Sequence, residues 1–318
     1  MASILRTIKN NLPSGKTTII LYTLLCTALT LIGYLNIIKA TKNMEILETI
    51  EPTGTTNIKS GTDVLIFFIY ILIATFFLII IFKLIQFKII LMLFEFFMVF
   101  FPAMIFIAAM LVPFLNPTDD LLYMTAGSTA FFIFIVKQLL PSIKDAVTII
   151  NASGIAISIL ASFPPQSIII IAIFLVAYDF LAVFVTKHML FFAKKIVAYN
   201  LPMTVSAFTE PAEIRSGQAA QDKEGKKQRI DLGSGDLIMF AVMSITNFVM
   251  FGIIGLMLSI IFGCISMYIM LAMVIKKKMI FPALLAIIPP MILVYAIMSL
   301  FFQLFGVPFY TTIFSFLG

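Results

Sequence analysis

The sequence of 318 residues contains 62% hydrophobic residues and only 11% charged ones. A soluble domain carries about 25% charged residues, and too few polar side chains remain here to cover a water-soluble core. The composition therefore excludes a soluble globule and indicates a chain that uses lipid as its solvent. The two cysteines, Cys26 and Cys264, both lie in apolar stretches, which excludes a disulfide framework or a thiolate metal site.

Nine apolar stretches are long enough to cross a bilayer. They run roughly over residues 17–38, 64–82, 89–115, 121–136, 146–163, 168–185, 236–253, 256–275 and 280–304. The seventh and eighth form one block that is about twice the length of a single crossing, so we divide it near Gly252 and Gly255 as a tight hairpin. Pro289 and Pro290 interrupt the ninth stretch, which lipid-embedded helices tolerate when neighbours satisfy the freed backbone groups. The sequence thus predicts an all-α polytopic membrane protein with nine transmembrane helices.

The basic residues indicate how these spans are oriented. With the N-terminus inside, 18 of the 21 Lys and Arg residues fall on the cytoplasmic side, and only Lys39, Lys42 and Lys59 fall outside. The positive-inside rule therefore predicts a cytoplasmic N-terminus and an external C-terminus. The net charge of +6 reflects this orientation, and no basic stripe interleaved with aromatics indicates nucleic-acid binding. The polar, basic start leads into a full-length span, so we expect no cleavable signal peptide.

Most acidic residues lie near water, and three do not. Twelve of the 15 Asp and Glu residues fall in loops or near span ends, whereas Glu95, Asp179 and Asp236 fall inside predicted spans. A carboxylate in hydrocarbon is costly and marks a functional site by default. Glu95 lies seven residues past Lys88, and we expect it to snorkel or to bond another helix, without a chemical role.

Asp179 and Asp236 are predicted to lie at one depth in the membrane. At helical rise they are roughly 12 Å and 10 Å from the basic cytoplasmic boundary, on consecutive antiparallel spans. Adjacent helices pack about 8–10 Å apart, so inward-facing carboxyl groups can share a water molecule and one proton. Such a pair can act as acid and base in one step. The simpler interpretation, helix-packing hydrogen bonds or an ion pathway, applies better to a single acid than to a matched pair.

Three short motifs surround these acids in the sixth, seventh and ninth predicted spans. They are Tyr178-Asp179, Gly233-Ser234-Gly235-Asp236 and Pro282-Ala283-Leu284. In this order and in these spans they resemble the presenilin and signal-peptide-peptidase family of intramembrane aspartyl proteases of the GxGD type, and we extend the resemblance to the whole chain. The resemblance implies a presenilin-like fold with Asp179 and Asp236 as catalytic residues. The substrate-binding residues that it implies are Tyr178, Gly233, Gly235, Pro282, Ala283 and Leu284.

The spans and motifs divide the chain into three parts. Residues 1–190 form a bundle of six spans that ends with Tyr178-Asp179, and residues 232–318 form three spans with the other two motifs. Between them, residues 191–231 are predicted to form a mobile cytoplasmic loop, because they carry mixed charges and small polar residues. In the resembled family this connection lies over the active site and contributes a gate or a self-cleavage site; a solvated tether is the other interpretation.

These observations predict an aspartic endopeptidase that cleaves transmembrane helices near their cytoplasmic side. The two aspartates supply the acid and the base, and a cavity open to the cytoplasm supplies water. A substrate helix must unwind before its amide is attacked, and the glycines and Pro282 leave backbone near the acids accessible to such a chain. We expect a multi-pass protein in the cell membrane of a microbe, with transmembrane substrates whose N-termini lie outside. No cofactor, metal or obligate partner subunit is implied.

Two other functions compete with this one. A prepilin-type peptidase also uses a Gly-x-Gly-Asp motif, but Tyr178-Asp179, the Pro-Ala-Leu motif and the nine spans argue against it. A transporter or channel that uses the same aspartates for protons or cations belongs to a different class, and inverted internal repeats would support it. The sequence has no evident repeat of that kind. It also has no His-Glu-x-x-His zinc motif, and His188 lies past the end of its span, badly placed as a base.

Overall fold

Helices make up most of the structure, a computed structural model that describes residues 15–47, 66, 69, 73, 88–115, 120–185, 203–208, 229–277 and 282–305. In chain order the helices are α1 (Gly15–Leu47), α2 (Lys88–Leu111), α3 (Asp120–Leu139), α4 (Lys144–Ser162), α5 (Pro165–Phe180), α6 (Ser234–Lys277) and α7 (Ala283–Phe305). A π-helical segment, Leu181–Val185, continues α5, and a 3-10 turn, Pro141–Ile143, precedes α4. Two short strands, β1 (Thr204–Phe208) and β2 (Arg229–Gly233), lie between α5 and α6.

The helices agree with the predicted membrane spans. Seven helices in the described part are long and apolar enough to cross a bilayer. They coincide with eight of the predicted spans, because α6 contains both the seventh and the eighth. The second predicted span, 64–82, lies outside the described residues except for Ile66, Ile69 and Ile73, which are helical and exposed. The chain is therefore a multi-pass integral membrane protein.

Helix α6 turns back on itself at Gly252. This residue has φ 68° and ψ −156°, a conformation that only glycine adopts readily. Twelve residues of straight helix span about 18 Å, yet the Nδ2 of Asn247 donates a hydrogen bond to the Oγ of Ser259 at 2.5 Å. A Cβ on Gly255 would lie 2.4 Å from the carbonyl oxygen of Asn247, so the turn has no room for a side chain there. The predicted hairpin is confirmed, and we call the parts before and after Gly252 the first and second limbs of α6.

The second limb also supports the interrupted helix α7. Pro290 has no N–H, which leaves the carbonyl of Ala286 without its usual helical donor. The Oγ of Ser266 donates to this carbonyl oxygen at 2.5 Å. In the same region the Nδ2 of Asn247 donates to the carbonyl oxygen of Met291 at 3.2 Å. A neighbouring part of α6 thus supplies a donor for the carbonyl group that Pro290 leaves free.

The first limb of α6 forms the centre of the bundle. Helix α6 packs against α1, α4, α5 and α7, and α2 packs against α1, α3 and α4. Residues 237–247 of the first limb are buried without a break, as expected for a helix that is apolar on all sides. Most other helices keep large apolar side chains exposed, which suits a surface that faces lipid. The limb that begins with the Gly-Ser-Gly-Asp motif is therefore the most enclosed segment of the described chain.

Candidate active site

Helix α5 presents Asp179 close to its end. Pro165 stands in the first turn, where its missing N–H is not needed, and the helix runs to Phe180. The backbone then widens into the π-helical segment Leu181–Val185, a rare geometry that is frequent at functional sites. Asp179 is only 6% exposed, so the structure places it inside the protein, two residues before this irregularity.

A β-hairpin leads the chain to Asp236. Strands β1 and β2 pair antiparallel with Thr204 opposite Gly233, and the backbone N–H of Ser234 donates to the carbonyl oxygen of Met203 at 2.8 Å. Helix α6 begins at Ser234, so Asp236 lies in its first turn, where the positive end of the helix dipole favours an acidic side chain. The Asp236 carboxylate accepts a hydrogen bond from the backbone N–H of Gly233, as in half of a capping box.

The Pro-Ala-Leu motif reaches the first acid directly. Pro282 is buried and not helical, and α7 begins at Ala283. The backbone N–H of Leu284 donates a hydrogen bond to the carboxylate of Asp179. The first N–H groups of a helix have no partner within the helix, so they are available to bind an anion. The third motif thus contacts Asp179 through its backbone, which the sequence did not predict.

The two acids lie together, as the sequence predicted. The carboxyl groups of Asp179 and Asp236 are close enough to interact electrostatically, although 57 positions separate them in the chain. Asp236 is half-buried. The Oδ2 of Asp179 is buried and has no hydrogen-bond partner among the residues that the structure describes. A buried carboxylate oxygen normally has a partner, so this atom is available for a proton, a water molecule or a substrate group.

The glycines of the second motif differ in their surroundings. A Cβ on Gly233 would lie 3.1 Å from the Oδ2 of Asp236, which is tighter than most Cβ contacts, so a side chain there would disturb the acid. A Cβ on Gly235 would meet no atom of the described residues within 4 Å, which leaves space beside the acid in this part of the chain. Tyr178 precedes Asp179 on α5 and is half-buried. The predicted site residues of all three motifs are therefore gathered at one end of the bundle.

Of the two roles expected for Glu95, snorkelling or a bond to another helix, the structure shows the second. Its carboxylate on α2 pairs with the ammonium group of Lys137 on α3, and both side chains are buried. The Nε2 of Gln138 donates to the other carboxylate oxygen at 3.1 Å. Lys137 lies in the last turn of α3 and Lys144 begins α4, and both are buried, which the sequence did not predict.

The sequence did not predict the two strands. The predicted loop 191–231 contains β1 and most of β2, while its remaining parts, 191–202 and 209–228, lie outside the described residues. One face of the hairpin packs into the main core through alternate residues: Val205, Ala207, Ile230 and Leu232. This alternation of apolar and polar residues is the sequence signal for a half-buried strand. It extends over only five residues in each strand, and the surrounding polar composition obscured it.

No three side chains of His, Cys, Asp or Glu gather as metal ligands within the described ranges. The structure is a polytopic helical bundle with two neighbouring carboxyl groups at one end. This arrangement is typical of a membrane-embedded aspartyl hydrolase. A family profile described as signal-peptide peptidase, presenilin aspartyl protease matches residues 27–304. The chain therefore belongs to the signal-peptide peptidase and presenilin family of aspartyl proteases, and the suspected family is confirmed.

Solved structures support the same fold. Two are described as a presenilin family intramembrane aspartate protease, in P2 and C222 space groups. They have TM-scores of 0.58 and 0.57 and 16% sequence identity each, and both cover 89% of this chain and 96% and 99% of their own chains. At this identity the similarity shows the fold. A search of curated proteins found no match. The family and the fold together indicate an intramembrane aspartyl protease.

Proposed function

We propose that this protein hydrolyses peptide bonds within transmembrane helices, with Asp179 and Asp236 as the catalytic residues. The observation that carries the proposal is the meeting of the two acids from α5 and α6, with the backbone N–H of Leu284 on one of them. Two carboxyl groups that interact in this way, one buried and one half-buried, favour a state with one shared proton. The pair then offers a base and an acid at the same time, which is what amide hydrolysis by water requires.

The reaction follows from that shared proton. The ionised carboxylate takes a proton from water while the water oxygen bonds to the peptide carbonyl carbon. The protonated carboxyl group gives its proton to the carbonyl oxygen, which yields a neutral gem-diol. The acid formed in the first step then protonates the amide nitrogen as the C–N bond breaks, and a hydroxyl proton of the gem-diol passes to the other carboxylate. One water molecule is consumed, and the pair again holds one proton.

The residues around the acids suit an unwound substrate. A transmembrane helix satisfies its own backbone, so the bond to be cleaved must first leave the helix. The space at Gly235 admits a neighbouring backbone, and Pro282, just before α7, is not helical and has no N–H of its own. We assign substrate contacts to these residues and to Gly233, Ala283 and Leu284. Tyr178, half-buried beside the first acid, completes the proposed substrate-binding set.

The proposed topology has nine spans, a cytoplasmic N-terminus and an external C-terminus. It rests on the distribution of basic residues, of which 18 of 21 fall on one side. The polar hairpin at the same end as the acids supports a site close to water. Cleavage near the cytoplasmic side, substrates with external N-termini and the cell membrane of a microbe belong to the same proposal. Reporter fusions that locate residue 318 in the cytoplasm would contradict the orientation.

The chemistry is tested by cleavage of a transmembrane peptide by the purified protein in liposomes. We expect Asp179→Ala and Asp236→Ala each to lower kcat by about 1,000-fold or more, as for other members of catalytic constellations. Asp120→Ala removes an exposed carboxylate at the start of α3 and serves as the matched control. Undiminished cleavage by either active-site variant would exclude the proposed pair. A parent protein that cleaves nothing but conducts ions would favour the transporter or channel instead.

A further inference from the structure

The start of α4 holds strand β1 in place. The Nζ of Lys144 donates a hydrogen bond to the Oγ1 of Thr204 at 2.9 Å, and the Oγ1 of Thr148 lies 3.5 Å from the carbonyl oxygen of Thr204. Two residues further along β1, the backbone N–H of Ser206 donates to the Oδ1 of Asp145 at 3.2 Å. These contacts join residues that are 56 to 61 positions apart in the chain. They are tertiary anchors between the bundle and the hairpin.

The register of the hairpin connects these contacts to the second acid, Asp236. Thr204 stands directly opposite Gly233 in the ladder, and Gly233 is the residue whose N–H binds the carboxylate of Asp236. The next residue, Ser234, is bonded through its N–H to the carbonyl oxygen of Met203. A shift of Thr204 along or away from α4 would therefore move the backbone that holds Asp236.

Lys144 is an electrostatically costly choice for a plain packing position. Its side chain is only 4% exposed, and lysine is rarely buried to this extent. It begins α4, where the positive end of the helix dipole disfavours a cation. The ammonium group of Lys137 is also close enough to repel it. An apolar residue would avoid all three costs, so the donor group of Lys144 must provide something that packing does not.

The donor group of Lys144 provides a directional contact that fixes the position of the strand. The other face of the hairpin is held by Val205, Ala207, Ile230 and Leu232, which pack into the core. Hydrophobic burial is not directional and tolerates small sliding movements. A hydrogen bond from a buried ammonium group weakens steeply with distance and angle, and it therefore fixes one position of the strand.

We propose that Lys144 is a positioning residue for the second acid: through Thr204 it fixes the hairpin, and with it the Asp236 carboxylate, relative to Asp179. The inference rests on the proposed function and concerns a residue outside the three motifs.

The kinetic test uses four substitutions at Lys144 and Thr204, and one control substitution, in the peptide-cleavage assay. Lys144→Met keeps the aliphatic stem and removes the donor, and Thr204→Val removes the hydroxyl at constant shape. Each is expected to lower kcat by about 10- to 100-fold, the range for small misplacements of catalytic groups, with KM changed less than about twofold. The double variant should be no slower than the worse single variant, because both remove one contact. Lys144→Arg and Thr204→Ser should recover most of the rate, and Lys39→Met, at an exposed lysine, is the matched control.

A second measurement does not depend on activity. Amide hydrogen exchange of the Lys144→Met protein should become faster in β2 and at Ser234, with the helices unchanged. Unchanged kcat, additive losses in the double variant or unchanged exchange in β2 would each overturn the proposal. A loss of protection throughout the bundle would show a role in folding and would overturn it as well. If the parent protein has no protease activity, the proposed function is wrong. The exchange rates in β2 would then test, without any activity, whether Lys144 holds the hairpin in place.

Discussion

Among the glycines that the structure describes, Gly154 on α4 has the least room for a side chain, because the backbone of α2 lies against it. A Cβ on Gly154 would lie 2.0 Å from the carbonyl oxygen of Pro102 on α2 and 2.7 Å from its carbonyl carbon. These atoms belong to backbone, so no change of rotamer relieves the overlap. For Gly154→Ala, α2 would have to retreat by about 1 Å to restore even a contact of 3.0 Å.

The expected loss of stability combines two opposing terms. Overpacking of a close-packed interior costs about 1–3 kcal/mol, and a backbone clash of this depth belongs at the upper end. Alanine is better than glycine in a helix by about 1 kcal/mol, which offsets part of the loss. We therefore expect Gly154→Ala to lower the free energy of unfolding by about 2 kcal/mol.

The chain has no Trp, so the assay uses thermal unfolding in detergent, followed by circular dichroism and by labelling of the buried thiol of Cys26. Gly127→Ala on α3 is the matched control, because among the described residues a Cβ there would meet only the Cζ of Phe100, at 4.0 Å. This control should be as stable as the parent or more stable. If Gly154→Ala also matches the parent, the close approach of α4 and α2 does not exist as described.

Three further predictions use the same preparations. Gly252→Ala should lower the unfolding free energy by about 1–3 kcal/mol, because its φ of 68° and ψ of −156° strain any side chain; an unchanged melting temperature would contradict the hairpin. Lys137→Met should cost about 3–5 kcal/mol by leaving Glu95 buried without its partner, and adding Glu95→Gln should restore part of it, whereas an additive loss would show two independent residues. In the cleavage assay, Gly233→Ala should lower kcat because its Cβ crowds the second aspartate. Gly235→Ala should raise KM without loss of stability. These roles would be refuted if Gly233→Ala changed only KM and Gly235→Ala changed only kcat.

The membrane spans were predictable because each depends on a local property of the chain. A stretch of apolar residues needs lipid wherever it lies, so eight predicted spans coincide with described helices. The turn in the middle of α6 was predictable for a similar reason. A block of twice the crossing length must reverse, and Gly252 can adopt the conformation that reversal requires.

The composition of the candidate site was also accessible from sequence, since acids inside apolar spans are conspicuous. Depth alone placed Asp179 and Asp236 at one level, and the structure brings them together. The burial of Lys137 was not accessible, because a charge census assigns a lysine at a helix end to the surface. Only the opposing position of Glu95 on α2 makes its burial tolerable.

The sequence by itself thus determined the solvent, the spans, the turn at Gly252 and the two acids, because each of these follows from residues next to one another in the chain. The tertiary structure alone decided what holds the acids: the Leu284 N–H on Asp179, and the Lys144–Thr204 contact opposite the glycine that binds Asp236. Hydrogen bonds depend on distance and angle between groups that are 60 or more positions apart here, and no local pattern of residues encodes that geometry.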